Sequence, residues 1–130
     1  MVNVLIKTES RYPISKKGIK FLVERVLAEK NIRGDVEVSV AIVGNRLMKK
    51  LNQTYRKLDK TTDVLSFSLT EDRERKMFID MPDDVMRLGD IVVSYPEAIN
   101  EAMEDDVLVD DKIGQLVEHG LLHLLGYHHE

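Results

Sequence analysis

The chain has 130 residues, 43% of them hydrophobic and 32% charged, with a formal net charge of -4 at neutral pH. This is the profile of a folded domain, and at such a length folding buries about two-thirds of the unfolded chain's surface, so one core needs no disulfide staples. Cysteine is absent, which excludes a disulfide scaffold, a cysteine-ligated zinc site and a thiol nucleophile, and no apolar run approaches the roughly 18 residues of a membrane span.

Alternating strands and helices follow from the N-terminus. Val2, Val4 and Ile6 alternate as a first strand. Ile19, Leu22, Val23, Val26 and Leu27 recur at helical spacing, with Ser15 as the cap. Gly34-Asp35 marks a turn, and Val36, Val38, Val40 and Ile42 form a strand with one face on a core. Asn45 is expected to cap a short helix carrying Leu47, Met48 and Leu51, and Thr62 to Phe67 reads as strand. Thr70 to Arg87 is polar and without period, and is expected to be a mobile loop with room for a short irregular strand. Leu88 to Ser94 returns to strand. Ser94, Pro96 and Glu97 then open a helix with Ile99, Ala102 and Met103 on its inner face. The last helix, from about Val107 to Leu125, is apolar on most sides and suits the middle of a fold. The expectation is an α+β architecture, with residues 1–130 forming one domain. The opening MVNVLIKTESRYP lacks the basic and apolar regions of a signal peptide, so the expected location is the cytoplasm, away from membranes.

The net charge hides an asymmetry. Arg46, Lys49, Lys50, Arg56, Lys57 and Lys60 face one acid, Asp59, so this strip carries +5 and the rest of the chain -9. The overall balance argues against a general nucleic-acid coat, whereas a local basic strip can steer a phosphate backbone to one place.

All four histidines lie in the closing stretch EHGLLHLLGYHHE. His119 and His123 are four apart on the last helix, so both rings share one face and can reach a single ion. Gly126 can take the left-handed conformation that ends a helix, which lets His129 swing to a third position. Three neutral imidazoles with an open fourth vertex describe a catalytic zinc. Imidazoles flanked by Leu121, Leu122, Leu124 and Leu125 also need a partner that offsets their desolvation. Metzincin proteases share this histidine and glycine spacing, but place a glutamate general base directly after the first histidine. Here that residue is Gly120, and Glu118 projects about 100° round the helix. The pattern therefore fits phosphodiester hydrolysis better than peptide hydrolysis. A zincin-like peptidase, or another metal-dependent hydrolase, is the alternative.

The run from His119 to His129, HGLLHLLGYHH, resembles the signature of the YbeY family, whose usual form is H-G-x-L-H-L-x-G-Y-D-H. Two further blocks agree in order and spacing: Asn52, Tyr55-Arg56, Asp59 and Thr62 to Phe67, then Leu88-Gly89-Asp90-Ile91. His128 stands where aspartate is usual, and Ser68 where proline is common. The resemblance implies a small mixed sheet of about four strands packed on helices, with the histidine helix central. It implies an endoribonuclease of single-stranded RNA, active in maturing the 3′ end of small-subunit ribosomal RNA and in ribosome quality control. The ribosomal small subunit or its factors would be partners, and a ribosome-associated binding factor with a structural metal is a further alternative. On this reading His119, His123 and His129 hold one zinc ion, and Arg56 matches the family's functional arginine. Lys49, Lys50, Lys57 and Lys60 would track the RNA backbone. Asp63 and Asp90 could orient a histidine, although turn formation suits each better. With three Phe, four Tyr and no Trp, stacking platforms are scarce.

Overall fold

In the computed structural model, which describes residues 1–68 and 85–127, the alternating valines become the middle of a four-stranded mixed sheet. Its strands are β1 (Val2–Thr8), β2 (Val36–Val43), β3 (Val64–Ser68) and β4 (Met86–Ser94), in the order β1-β2-β4-β3. The first three in that order run parallel, and β3 pairs antiparallel with β4 at the edge. The helices are α1 (Lys16–Glu29), α2 (Asn45–Arg56), α3 (Tyr95–Asp105) and α4 (Val109–Leu124). The class is α+β, as the sequence leads one to expect. No described helix is long and apolar enough to cross a membrane.

Side-chain alternation assigns the two faces. Val36, Val38, Val40 and Ile42 of β2 pack with Ile19, Val23, Val26 and Leu27 of α1 and with Ile113, Leu116, Val117, Leu121 and Leu124 of α4. Full burial of each aliphatic side chain contributes about 1.5–3 kcal/mol, so this face supplies most of the core. On the other face α2 lays Met48 over Val43, Leu65 and Val92. β4 is therefore covered from both sides along most of its length, and it reads as the nearly unbroken apolar run LGDIVVS.

The helix starts at Ser15 and Ser94 hold: each hydroxyl accepts from the backbone N–H three residues on, Gly18 and Glu97. Asn45 does not cap α2. Gly44 occupies the cap position without a side-chain bond. Asn45 instead accepts from the Ser94 and Thr61 hydroxyls and donates to Glu97 Oε1. It thus ties α2 to the start of α3, because a half-buried amide finds tertiary partners where a surface one would serve the helix end. Met103 points outward and is 75% exposed, and Ala98 takes the inner position beside Ala102. The expected loop falls largely on residues 69–84, outside the described residues. Its end is strand: β4 already pairs Met86 with Val36 and Arg87 with Glu37. Arg87 Nε lies 3.4 Å from Glu37 Oε2, a polar pair on the sheet face that carries no hydrophobic period to betray a strand.

Between Glu37 and Val38 the register shifts, leaving Leu88 as an extra residue in β4. Gly89 follows with φ +141°, and a Cβ there would lie 2.1 Å from the Phe67 carbonyl oxygen. Only glycine permits this approach, and it is what seats β3 beside β4 and over the histidine helix.

Candidate active site

The spacing of four turns into a shared face. The rings of His119 and His123 have centroids 4.5 Å apart and planes tilted by 40°. His119 is exposed, while His123 is half-buried with its Nε2 atom inside. Both line a cleft of about 440 Å³ together with Arg56, Thr62, Asp63, Val64, Ser66 and Gly120. The cleft lies where the C-terminal half of α4 passes under edge strand β3. Residues far apart in sequence meet there because β3 follows directly on the loop that leaves α2.

Arg56 is the last residue of α2. Lys57 adopts a left-handed conformation, φ 61°, and its N–H closes the helix on Gln53 O. Fully buried Asn52 donates from Nδ2 to Lys60 O at 2.8 Å, and its own carbonyl accepts from Leu58 N–H. This staple folds residues 57–60 back along α2 and carries the chain toward Asp63, which sets Arg56 opposite the histidines.

At the far end, Leu125 N–H bonds Leu121 O, Gly126 N–H bonds His123 O and Tyr127 N–H bonds Leu122 O, with Gly126 at φ 94°. These are the bonds of a left-handed helix stop. Tyr127 is half exposed and lies under Lys30, whose Nζ is 4.5 Å from the ring centroid. His128 and His129 lie outside the described residues, so the third expected ligand has no described position. Among the described residues, no three histidine, cysteine or carboxylate side chains could together hold a metal ion. His119 and His123 fit one as partial ligands: two imidazoles, one turn apart, opening on a common cleft, are a donor set suited to zinc.

Glu118 is turned away. Its carboxylate takes Arg25 of α1 at 3.3 Å, so it serves the α1–α4 contact. Asp63 is in the cleft, and its carbonyl accepts from Ser94 N–H. Behind it stands Glu101 of α3, whose carboxyl is pushed up to about 7 by burial and by hydrogen bonding to the Asp63 carboxylate. Glu101 therefore keeps its proton at moderately acid pH, and Lys112 and Glu97 add smaller opposing influences. Nothing in the sequence signals this pair, since Glu101 belongs to an ordinary exposed-looking helix pattern. Asp90 lies elsewhere, in a groove on the opposite sheet face.

Among the described residues none of the four lysines lines the histidine cleft. Lys49, Lys50, Lys57 and Lys60 are exposed along α2 and the loop after it. Lys49 Nζ is 3.8 Å from Asp59, and Lys57 Nζ donates to Thr54 O at 3.4 Å.

A sequence profile described as Endoribonuclease YbeY matches residues 5–130. An Endoribonuclease YbeY of Syntrophomonas wolfei is 46% identical over 96 residues, which cover 74% of this chain and 62% of the relative. One of Dehalococcoides mccartyi is 34% identical over 135 residues, covering 99% of this chain and 84% of the relative. The solution structure of TM1509 from Thermotoga maritima is 33% identical and superposes with a TM-score of 0.59, over 98% of this chain and 75% of that one. The match spans nearly the whole chain and includes both described histidines, Arg56 and Gly89, so this chain belongs to the Endoribonuclease YbeY family.

Proposed function

We propose that this chain, acting as one domain over residues 1–130, is a zinc-dependent endoribonuclease of single-stranded RNA. Its setting is the cytoplasm, where it matures the 3′ end of small-subunit ribosomal RNA and takes part in ribosome quality control, with the small subunit or its factors as partners. The observation that carries the reading is the placement of His119, His123 and Arg56 around one cleft, in a chain of this family. His119, His123 and His129 would hold one ion. The chemistry such an ion supplies when bound is Lewis acidity, which brings the ionisation of water close to neutral pH.

The remaining roles belong to the protein. Arg56 can hold a phosphodiester by two parallel N–H bonds and offset the charge that grows on its oxygens. Exposed lysines along α2 draw the backbone in without reading bases. The peptidase alternative loses ground on two counts. Glu118 is engaged by Arg25, and position 120 has no room for a glutamate against the sheet.

Bound metal and cleavage of single-stranded RNA, measured together, test this. Wild type is expected to carry zinc and cut. His123→Ala should lose both. Arg56→Ala should keep zinc and cut about 10²-fold more slowly, the usual cost of one transition-state donor. Equal cutting by all three proteins would mean a contaminating nuclease, and would remove the enzymatic reading. Zinc-loaded wild type that never cuts would favour a binding factor with a structural metal.

A further inference from the structure

Strand β3 separates two grooves. Val64 and Ser66 line the histidine cleft, while Phe67 lines a groove of about 420 Å³ on the other face of the sheet, beside α2. The end of α2 serves both, for Arg56 lines the first and the preceding residue, Tyr55, lines the second. Tyr55 is 63% exposed, and its ring meets Phe67 edge to face with centroids 5.0 Å apart. The edge contact fixes the orientation of the Tyr55 ring and leaves much of its surface open. Around it the groove offers Lys7, Ser39 and Asp90 as donors and acceptors over an otherwise apolar floor. Its volume lies within the range of small-molecule pockets, about 300–1,000 Å³.

We infer that this groove holds a nucleobase of the RNA strand, stacked on Tyr55, while Arg56 holds a neighbouring phosphate across β3. The inference rests on the endoribonuclease reading and adds a base subsite to it. Charge complementarity selects the occupant: Tyr55 sits within the +5 strip from Arg46 to Lys60, whose exposed lysines attract a polyanion rather than an apolar protein segment. A polyanion drawn along α2 passes the exposed ring, and every base has a π-face that can use it. The scarcity of aromatic residues in the composition is thus offset by position, since two of them are brought into one groove beside the basic helix. Lys7, Ser39 and Asp90 can discriminate base edges, which gives the site a means of preference that phosphate contacts lack.

The test uses the full chain and a short fluorescein-labelled single-stranded RNA, with anisotropy reporting binding and a gel reporting cleavage in the same samples. Tyr55→Ala is expected to bind about tenfold more weakly, with the salt dependence of binding unchanged because every phosphate keeps its cationic partner. Tyr55→Trp should bind within about twofold of wild type. It also places the chain's single tryptophan in the groove, and its emission should be quenched by RNA. In a series of RNAs each carrying one abasic position, one position should weaken wild type and leave Tyr55→Ala indifferent. Wild-type affinity in Tyr55→Ala, unquenched emission in Tyr55→Trp, or equal sensitivity to every abasic position would each overturn the subsite. If wild type cuts RNA and Tyr55→Ala binds it equally well, the subsite alone fails. If wild type neither binds nor cuts RNA, the endoribonuclease reading fails with it.

Discussion

Gly120 lies directly against Ile91: a Cβ at position 120 would be 2.8 Å from Ile91 Cγ2 and 3.5 Å from Val64 Cγ2. This residue, one of three between the two site histidines on α4, is therefore a point where the helix presses close to the sheet. Ile91 is fully buried, so a side chain at position 120 would have to displace it within the core. The glycine where a zincin carries its glutamate is a packing requirement, and the same contact brings the His119–His123 face up to β3.

Adding a methyl group here has two opposing effects. Alanine favours a helix interior by about 1 kcal/mol over glycine. Overpacking a buried contact costs about 1–3 kcal/mol, and the close approach to Ile91 makes that cost the larger. Gly120→Ala is expected to lower the urea midpoint, and Gly120→Glu to lower it much further without creating peptidase activity. A raised midpoint in Gly120→Ala, the propensity gain without the packing cost, would show that α4 does not press on the sheet as described.

The Asp63–Glu101 pair predicts a pH dependence of stability. Glu101 is held protonated up to about 7 in the folded chain, against an ordinary value of 4.5. Between those values the unfolded chain releases a proton that the folded chain keeps, so stability falls as pH rises through that window and levels off above it. Glu101→Gln keeps a donor toward Asp63 and cannot ionise. Relative to wild type it should gain on the order of 1–2 kcal/mol from pH 5 to pH 8, the full shift being discounted for partial solvent access. Urea melts at the two pH values measure this, and parallel curves for the two proteins would count against Glu101 keeping its proton in the folded chain.

The exposed lysines predict a salt signature. Removing the charge at Lys50 or Lys57 should weaken binding of any single-stranded RNA alike and reduce the slope of log affinity against log salt by about 0.7 for each phosphate no longer neutralised. Lys49 is partly engaged by Asp59, so its removal should change the slope less. A loss of affinity confined to particular sequences would assign these lysines to base reading instead.

Much of the fold was legible because local chemistry and tertiary demand agree along most of the chain. Alternation in β2, helical spacing in α1 and the serine caps at Ser15 and Ser94 all follow from side chains acting on their own neighbourhood. The reading failed where a polar residue served a distant partner. Asn45 binds Ser94 and Thr61 rather than its own helix end, and Arg87 and Glu37 hide the start of β4 in a charge pair.

The sequence alone determined the strand and helix order, the pairing of His119 with His123 on one face, and the stop at Gly126, because periodicity and backbone freedom are properties of neighbouring residues. Only the tertiary structure decided that Arg56 meets those histidines while Tyr55 turns to Phe67, that Glu101 backs Asp63, and that Asp90 lies on the other face. Each of those relations depends on which strand edge and which helix end come together in space. That is settled by the packing of the whole sheet between its helices, which no local stretch of residues specifies.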